Sequence, residues 1–591
     1  MKRFSNQDIS RLLRNMAVAY ILKDEKKYRF QIIAYQNASE TIAHSTTELQ
    51  DLYREQTLEK LPGVGPGIKA YLEELFKTGR VDHFAKLLKD IPKAVFPLLD
   101  VPSFGPKRAY KIVSHFKLKN PATVLKEVAK LASESRIAEL EGFGQKSEED
   151  ILQALSEYKT GTTKSGRMVL PYAYNLSQNV LEYMRKSSNI IQIQPLGSLR
   201  RMVSTIGDVD LAATSDNPSR VIDHFINYPG AQRIIEKGPT TAAILVAGGK
   251  HVDLMVLPHK SFGSLLQHFT GSKFHNVSLR EYALKKGYSL SERGVKLLKN
   301  NSELKTFDDE AKFYKFLGLD WIPPEIREDT GEIQSALKHT LPKLVELKDI
   351  RGDLHIHSNY PLEPSHDAGQ NSMEEHLKRA KELGYEYLGF SEHNPSITNH
   401  TTNEICSILL KRKKYIDQLL LSNKSVRVIN LLEVDILPSG KLALDNKALD
   451  LIDAAIVSIH SSFSMNKDKM TERILKGLSH PKAKILAHPT GRLINQRPSY
   501  EADWTKIFEF SAKSNKALEI NSWPTRLDLP DTLVRQAKEA GVKFVINTDS
   551  HETSHMDNMF YGVSVARRGW CEKKDVLNTL PAKEFLAWVK S

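Results

Sequence analysis

Along the first 160 residues, apolar positions recur every three or four residues. Ile9, Leu12, Leu13, Met16 and Ala17 predict a helix that starts behind the polar Ser5-Asn6-Gln7-Asp8. Further helices are predicted around Tyr28–Ala43 and Thr46–Glu55. Over Ile206–Ala212 the period shortens to two. That segment reads as a strand, with Val209 and Leu211 on one face and Asp208 and Asp210 on the other. His251-Val252-Asp253-Leu254-Met255-Val256 reads as a similar strand. Beyond a charged connector, with a helix ending near Leu347, come seven apolar runs. They are Asp353–His357, Tyr387–His393, Val426–Asp435, Ala454–His460, Lys484–His488, Ala517–Ser522 and Lys543–His551. Helical patterns such as Ser372–Leu383 and Leu533–Ala540 separate several of them. The fold expected is multidomain, α+β and α/β, ending in a parallel barrel with its functional groups at the carboxyl ends of the strands.

Glycines punctuate the helical region in a repeating way. Leu61-Pro62-Gly63-Val64-Gly65-Pro66-Gly67-Ile68 recurs as Val101-Pro102-Ser103-Phe104-Gly105-Pro106-Lys107-Arg108 and as Leu140-Glu141-Gly142-Phe143-Gly144-Gln145-Lys146. Three copies at roughly 40-residue spacing read as helix-hairpin-helix elements rather than chance turns. Their helix starts offer unpaired N–H groups to phosphate. Gly63, Gly65, Gly105, Gly142 and Gly144 are therefore candidate contacts to a DNA backbone, bound without reading sequence. Lys107, Arg108, Lys111, Lys117 and Lys119 add positive charge after the second copy, and Lys159–Arg167 is a Gly/Thr/Ser-rich linker.

Two clusters carry chemistry. Asp208 and Asp210, joined by Asp253, form a hard oxygen site suited to Mg²⁺ or Mn²⁺. Gly197-Ser198 and Arg200-Arg201 just upstream suit phosphate oxygens, so two-metal nucleotidyl transfer is the natural reaction. In the barrel, His355, His357, His393, Glu433, His460, His488, Asp549 and His551 fall at strand ends. Eight or nine such ligands suit two or three Zn²⁺, Mn²⁺ or Fe²⁺ ions, and metal-activated water attacking a phosphoester is the economical chemistry.

Composition narrows the setting. The 591-residue chain has room for three to five domains, and its net charge of +13 favours a polyanionic partner. The two cysteines, Cys406 and Cys571, exclude a disulfide framework. No apolar run approaches the ~18 residues of a membrane span, and the start carries no apolar signal core. The expectation is a cytoplasmic protein, monomeric, with no membrane contact.

The ordered set Gly-Ser-Leu-Arg-Arg, Gly-Asp-Val-Asp-Leu, Phe-Thr-Gly-Ser with Asn276 and Arg280, Asp-Leu-His-Ile-His-Ser, His-Pro-Thr-Gly-Arg and Asn-Thr-Asp-Ser-His spans nearly the whole chain. It resembles the bacterial and archaeal family X DNA polymerases that carry a C-terminal PHP domain. The resemblance implies N-terminal helical DNA-binding and fingers-like domains over 1–85 and 86–165. It implies a nucleotidyltransferase palm over 166–260, a thumb over 261–325, a linker over 326–350 and a PHP (β/α)7 distorted barrel over 351–591. Asp208, Asp210 and Asp253 match the catalytic metal-binding carboxylates. Ser198, Arg201 and Gly207 match positions that hold the triphosphate, and Phe269, Gly271, Asn276 and Arg280 match residues around the nascent base pair. Gapped or primer-template DNA and deoxynucleoside triphosphates are the implied partners. Gap-filling repair synthesis is the implied activity, with 3′–5′ exonuclease or abasic-site phosphodiesterase action in the PHP half. The sequence departs from the family pattern at Tyr71, Gly238–Thr241, Met255, His268 and Ser391-Glu392. In the loop Tyr360–Gly369 a direct alignment puts Ala368 at a ligand position; Asp367 takes it if the loop is one residue longer. A DNA-binding scaffold with a degenerate catalytic half, and a small-molecule phosphatase in the PHP half, are the alternative readings.

Overall fold

A computed structural model describes residues 4, 6–43, 49, 53, 58, 64–99, 101, 104–140, 143–144, 148, 151–152, 155, 167–298, 304–422 and 425–591. The chain divides into two compact units, Met1–Gly166 and Arg167–Ser591. In the first, the helix Asn6–Asp24 buries Ile9, Leu13, Met16 and Ala17 against Arg29–Ala43, Pro66–Thr78 and Asp82–Leu88. A second core lies under the helices Pro106–His115 and Val124–Ser133. Most of Thr46–Glu55, together with Gly63 and Gly142, lies outside the described residues.

Gly65 and Gly105 cap the helices at Pro66 and Pro106 with nearly the same extended backbone, φ −74°, ψ 167° and φ −77°, ψ 159°. A Cβ built on Gly65, Gly105 or Gly144 meets nothing within 4 Å. These glycines relieve no internal clash; Gly65 and Gly105 leave bare backbone at a helix start, open to a ligand.

The second unit opens with a five-stranded sheet: β1 (Gln192–Pro195), β2 (Val209–Thr214), β3 (Ala231–Lys237), β4 (Thr241–Val246) and β5 (Lys250–Leu257). Its order is β1-β2-β5-β4-β3, with β2 and β5 parallel. The single strand expected over Ile206–Ala212 is two pieces. Thr205–Ile206 pairs with Met168–Val169, so the chain must bend at Gly207-Asp208 before β2 begins at Val209.

Helices Phe262–Thr270, Lys273–Lys285 and Glu310–Phe316 follow, with a hairpin between the last two. The buried Glu310 carboxylate ties them to the sheet. It accepts from Arg200 at 2.9 and 3.0 Å, Arg327 at 2.6 Å and Trp321 at 2.9 Å. Burial pushes its carboxyl up, but Arg327 and Arg200 override that and hold it well below the usual carboxylate range. The helix expected to end near Leu347 is absent. The chain forms a short helix, Glu332–Leu337, and later one 3₁₀ turn, Leu347–Asp349, because Pro342 breaks helical pairing between them. Leu344 of this connector is buried with Ile326, Ile333, Ala336 and Trp570.

All seven expected barrel strands are present: β6 (Gly352–Ile356), β7 (Tyr387–Phe390), β8 (Arg427–Asp435), β9 (Ala454–Ser458), β10 (Ala483–Leu486), β11 (Ala517–Asn521) and β12 (Lys543–Asn547). They are parallel and neighbour one another in chain order. Side-chain and loop contacts link β6 to the end of β12: Leu354 N–H donates to Asn547 Oδ1, His357 N–H to Ser550 O, and Ser550 N–H to His355 O. The strands are almost wholly buried, as expected where helices cover a parallel sheet. Among the described residues no helix is long and apolar enough to cross a membrane.

Glu310→Ala would strand two buried guanidinium groups and is expected to destabilise the Arg167–Ser591 unit by about 3–5 kcal/mol. Denaturant unfolding followed by tryptophan fluorescence would read the loss.

Candidate metal centres

The first centre follows from register. On the parallel strands β2 and β5, Asp210 stands directly opposite Asp253, with the pairs Val209–Val252 and Leu211–Leu254 directed into the core. Asp208 reaches the same locality from the bend. Burial pushes the Asp210 carboxyl up to about 6, and Asp253 and Asp208 push the same way, while Arg201 opposes them. Burial and then Asp208 also raise Asp253. Like charges therefore converge here faster than the protein neutralises them, which is the donor set a hard divalent cation fits.

The lead-in packs tightly against this pair. Gly197 begins the helix Gly197–Arg200 at φ +57°, and a Cβ there would lie 2.6 Å from Asp210 Oδ2. Only glycine satisfies both conditions. Ser198 is in the same short helix, and Gly207 is in the bend before Asp208. Arg201 Nε donates to Glu328 Oε1 at 3.1 Å, and its Nη1 donates to the Thr270 carbonyl at 2.5 Å, beside Gly271. Asn276 and Arg280 share a face of Lys273–Lys285, one turn apart. Asn276 Nδ2 donates to the His268 carbonyl at 2.7 Å, and Arg280 Nη2 lies 3.4 Å from His268 Nδ1. Phe269 and Met255 pack against one buried cluster that includes Phe262, Leu265 and Leu266. Met255 and His268, two departures in the sequence, thus sit in or beside this packing.

In the barrel, eight ligand candidates meet at the carboxyl ends of the strands. Glu433 on β8 is the hub. Its oxygens lie 3.2 Å from His355 Nε2, 3.5 Å from His357 Nε2, 3.0 Å from His393 Nδ1, 3.3 Å from His460 Nε2 and 2.9 Å from His488 Nε2. Asp549 Oδ1 is 3.5 Å from His355 Nε2 and 3.4 Å from His357 Nε2. Burial pushes Glu433 up, yet His393, His355 and His460 hold it well below the usual range. The backbone is left-handed at His488 (φ +27°) and Asp549 (φ +55°), a strain of about 1–3 kcal/mol each that surrounding bonds must sustain.

Asp367, the ninth candidate, comes from the loop before β7. One of its oxygens is 3.3 Å from His393 Nε2 and the other 3.2 Å from His551 Nε2. The loop is pressed onto the His-x-His strand: a Cβ on Gly369 would lie 1.9 Å from the His357 carbonyl.

A metal-ion test can be made on the nitrogens. Both ring nitrogens of His357, Nδ1 of His393 and Nε2 of His551 are buried without a hydrogen bond. The carboxylate oxygens near them lack hydrogen-bond alignment, as befits groups directed at a shared third atom. Four overlapping triads have ligand atoms within 4.8 Å of one another: His357/His393/His551, His355/His357/Asp549, His393/Glu433/His460 and His366/Asp435/His460. The residues fit several metal ions.

Two supporting carboxylates escaped the sequence reading. Glu519, inside β11, accepts from His355 Nδ1 at 2.7 Å and from the His488 N–H at 2.6 Å. Asp435 lies 2.7 Å from His460 Nδ1 and 3.2–3.3 Å from His366 Nε2. Each carboxylate fixes which nitrogen of its histidine faces the cluster. Asp435 follows Glu433 by two on one strand face, a signal the sequence carries. Glu519 has no such signature among apolar neighbours. Gly65, Gly105 and Gly144 belong to the other unit, the first two at helix starts.

Known proteins provide an independent comparison. The profile described as helix-hairpin-helix domain matches residues 4–81, and a SAM-like helix-hairpin-helix tandem matches 95–157. DNA polymerase beta thumb matches 265–328, and PHP domain matches 353–523. The chain is 34% identical over 588 residues to the DNA polymerase/3′–5′ exonuclease PolX of Bacillus subtilis, covering 99% of each. It is 29% identical over 161 residues to DNA polymerase lambda of Rattus norvegicus, covering 22% of this chain and 28% of that one. Over 210 residues it is 27% identical to a probable phosphatase of Clostridium acetobutylicum, covering 34% and 78%.

The raised Asp210 carboxyl has a thermodynamic consequence. The folded protein binds more protons than the unfolded chain between the ordinary aspartate range and about pH 6, so metal-free stability falls as pH rises through that window. Asp210→Asn is therefore expected to stabilise the metal-free protein at neutral pH by up to about 3 kcal/mol, and to lose the advantage in acid. Thermal unfolding in chelator across pH would measure it; a neutral-pH loss of stability would contradict it.

Proposed function

The chain belongs to the family X DNA polymerases that carry a C-terminal PHP domain, and from that premise we propose a division of labour between its two centres. The protein is a DNA polymerase with 3′–5′ exonuclease activity, and DNA is its partner. Synthesis is assigned to Asp208, Asp210 and Asp253. The register that sets Asp210 against Asp253 carries this reading. Degradation is assigned to the barrel centre, supported by the ring nitrogens of His357, His393 and His551 that lie buried without a hydrogen bond.

At the first centre, the three carboxylates would hold Mg²⁺ or Mn²⁺ for transfer from a deoxynucleoside triphosphate to a primer end. Ser198, Arg201 and the Gly207 N–H would bind the triphosphate. Phe269, Gly271, Asn276 and Arg280 would line the nascent base pair. Gly63, Gly65, Gly105, Gly142 and Gly144 would meet the backbone of a gapped or primer-template duplex, Gly65 and Gly105 with bare helix starts. In the barrel, His355, His357, Asp367, His393, Glu433, His460, His488, Asp549 and His551 would hold two or three Mn²⁺, Zn²⁺ or Fe²⁺ ions. Glu519 and Asp435 keep His355 and His460 turned toward them. When bound, the cations would supply Lewis acidity at both centres. Gap filling in repair, with trimming of 3′ ends or abasic-site residues, is the use this pairing serves.

Similarity of the barrel to a probable phosphatase favours one second reading, hydrolysis of a small phosphomonoester. Comparing turnover of a phosphomonoester with that of a DNA 3′ end separates the two.

Replacing both Asp208 and Asp210 by Ala is expected to cut primer extension about a hundredfold or more while leaving Mn²⁺-dependent 3′–5′ degradation intact. His355→Ala should do the reverse. Degradation surviving in His355→Ala, or extension surviving in the aspartate variant, would reject the assignment. Asp367→Ala should lower bound transition metal by about one ion per chain, read by elemental analysis.

A further inference from the structure

A ladder of charges of alternating sign runs from the aspartate pair into the barrel. Arg201 is the cation that opposes the charge on Asp210. Glu328 Oε1 accepts from Arg201 Nε at 3.1 Å and from Arg568 Nη1 at 3.0 Å. Arg568 ends the helix Met559–Arg568, which packs on the barrel strands β11 and β12. Its Nη1 also donates to the main-chain carbonyl of Arg201 at 2.8 Å and to that of Glu325 at 3.3 Å. Its Nε donates to Asp531 Oδ2 at 2.7 Å. The Arg568 side chain is 7% exposed and that of Arg201 13%. One guanidinium from the barrel thus grips both the backbone of Arg201 and the carboxylate that aims its side chain.

We propose that Arg568 is a positioning residue for the nucleotide site: it shares Glu328 with Arg201 and so presets the Arg201 guanidinium for the triphosphate. This rests on the reading of Arg201 as a triphosphate ligand. Arg201 commits Nε to Glu328 and Nη1 to Thr270, and no hydrogen bond from its Nη2 is formed among the described residues. A guanidinium held by two of its donors keeps the rest of its fork for phosphate at little further cost in entropy. Without Arg568, the Arg201 carbonyl loses a donor and Glu328 turns wholly to Arg201, competing with the triphosphate. Neither change touches the metal-binding carboxylates.

The consequence is a split between binding and turnover. In single-nucleotide primer extension by the full chain, Arg568→Ala should raise the nucleotide KM about five- to tenfold while kcat changes less than about twofold. Its 3′–5′ degradation should stay at the wild-type rate. Arg568→Lys, which keeps the charge but not the fork, should fall between. In a Glu328→Gln background, Arg568→Ala should add little. An unchanged KM in Arg568→Ala overturns the proposal. So does a parallel loss of extension, degradation and thermal stability in both Arg568 variants, which would mark a purely structural residue. Arg201→Ala separates the premise: if it leaves the nucleotide KM unchanged, the triphosphate reading fails; if it raises KM and Arg568→Ala does not, only the coupling fails.

Discussion

Asp210 and Asp253 stand side by side on paired strands, and much of the larger unit is arranged to make that repulsion tolerable. Neither strand can slip by one residue without turning its own carboxylate into the core. Gly197 lets a helix start come against Asp210 where any side chain would collide. Arg201 supplies an opposing charge, and it is itself too buried to stand alone. Burial lowers its pKa, and Glu328 works against that. Each correction creates a new partially buried charge that needs its own partner, so the network grows outward through Glu328 to Arg568 and Asp531. Glu310, between Arg200 and Arg327, closes a parallel branch that fixes the following helices to the sheet.

The barrel meets the same problem with the opposite mixture. It gathers basic nitrogens around few carboxylates, so Glu433 is over-supplied with partners where Asp210 is under-supplied. Burial makes both arrangements costly in the absence of metal. In the first centre the unmet demand is for positive charge. In the second, several nitrogen lone pairs have nowhere to go. Cations answer both, but with different preferences: oxygen donors alone favour hard ions, and imidazole-rich sets accept softer ones. One chain can thereby keep two metal chemistries apart by donor type.

Much of this was legible because the decisive signals are periodic. Short apolar runs, six of the seven ending in a His, Asp or Glu cluster, located all seven barrel strands to within a few residues, since a strand buried on both faces must be apolar until it emerges. What escaped was set by pairing across the chain. Asp208 looked like a strand residue until Ile206 was found paired with Met168. The connector's helical pattern gave way at Pro342, and its apolar residues were spent on Trp570. Glu519 was hidden because its partners, His355 and His488, are distant in sequence, and a carboxylate amid Ala517, Leu518 and Ile520 carries no local mark. Asp367 and Ala368 competed for one position in a loop whose length, not composition, decides which side chain arrives. The structure brings Asp367 to His393 and His551.

The position of Arg567 and Arg568 bears on why two activities share one compact unit. Both end a helix packed on barrel strands, yet both reach back across the connector, Arg567 to Glu325 and the Val345 carbonyl, Arg568 to Glu328 and the Arg201 carbonyl. A buried charge deprived of its partner costs far more than a surface pair returns. Separating the two modules would strand Arg568, and with it Glu328 and the backbone beside the aspartates. The barrel is therefore more than a nuclease appended to a polymerase. Arg568, at the end of a helix packed on its strands, joins the charged network beside the first centre, so a change in how that helix packs has a direct route to Arg201.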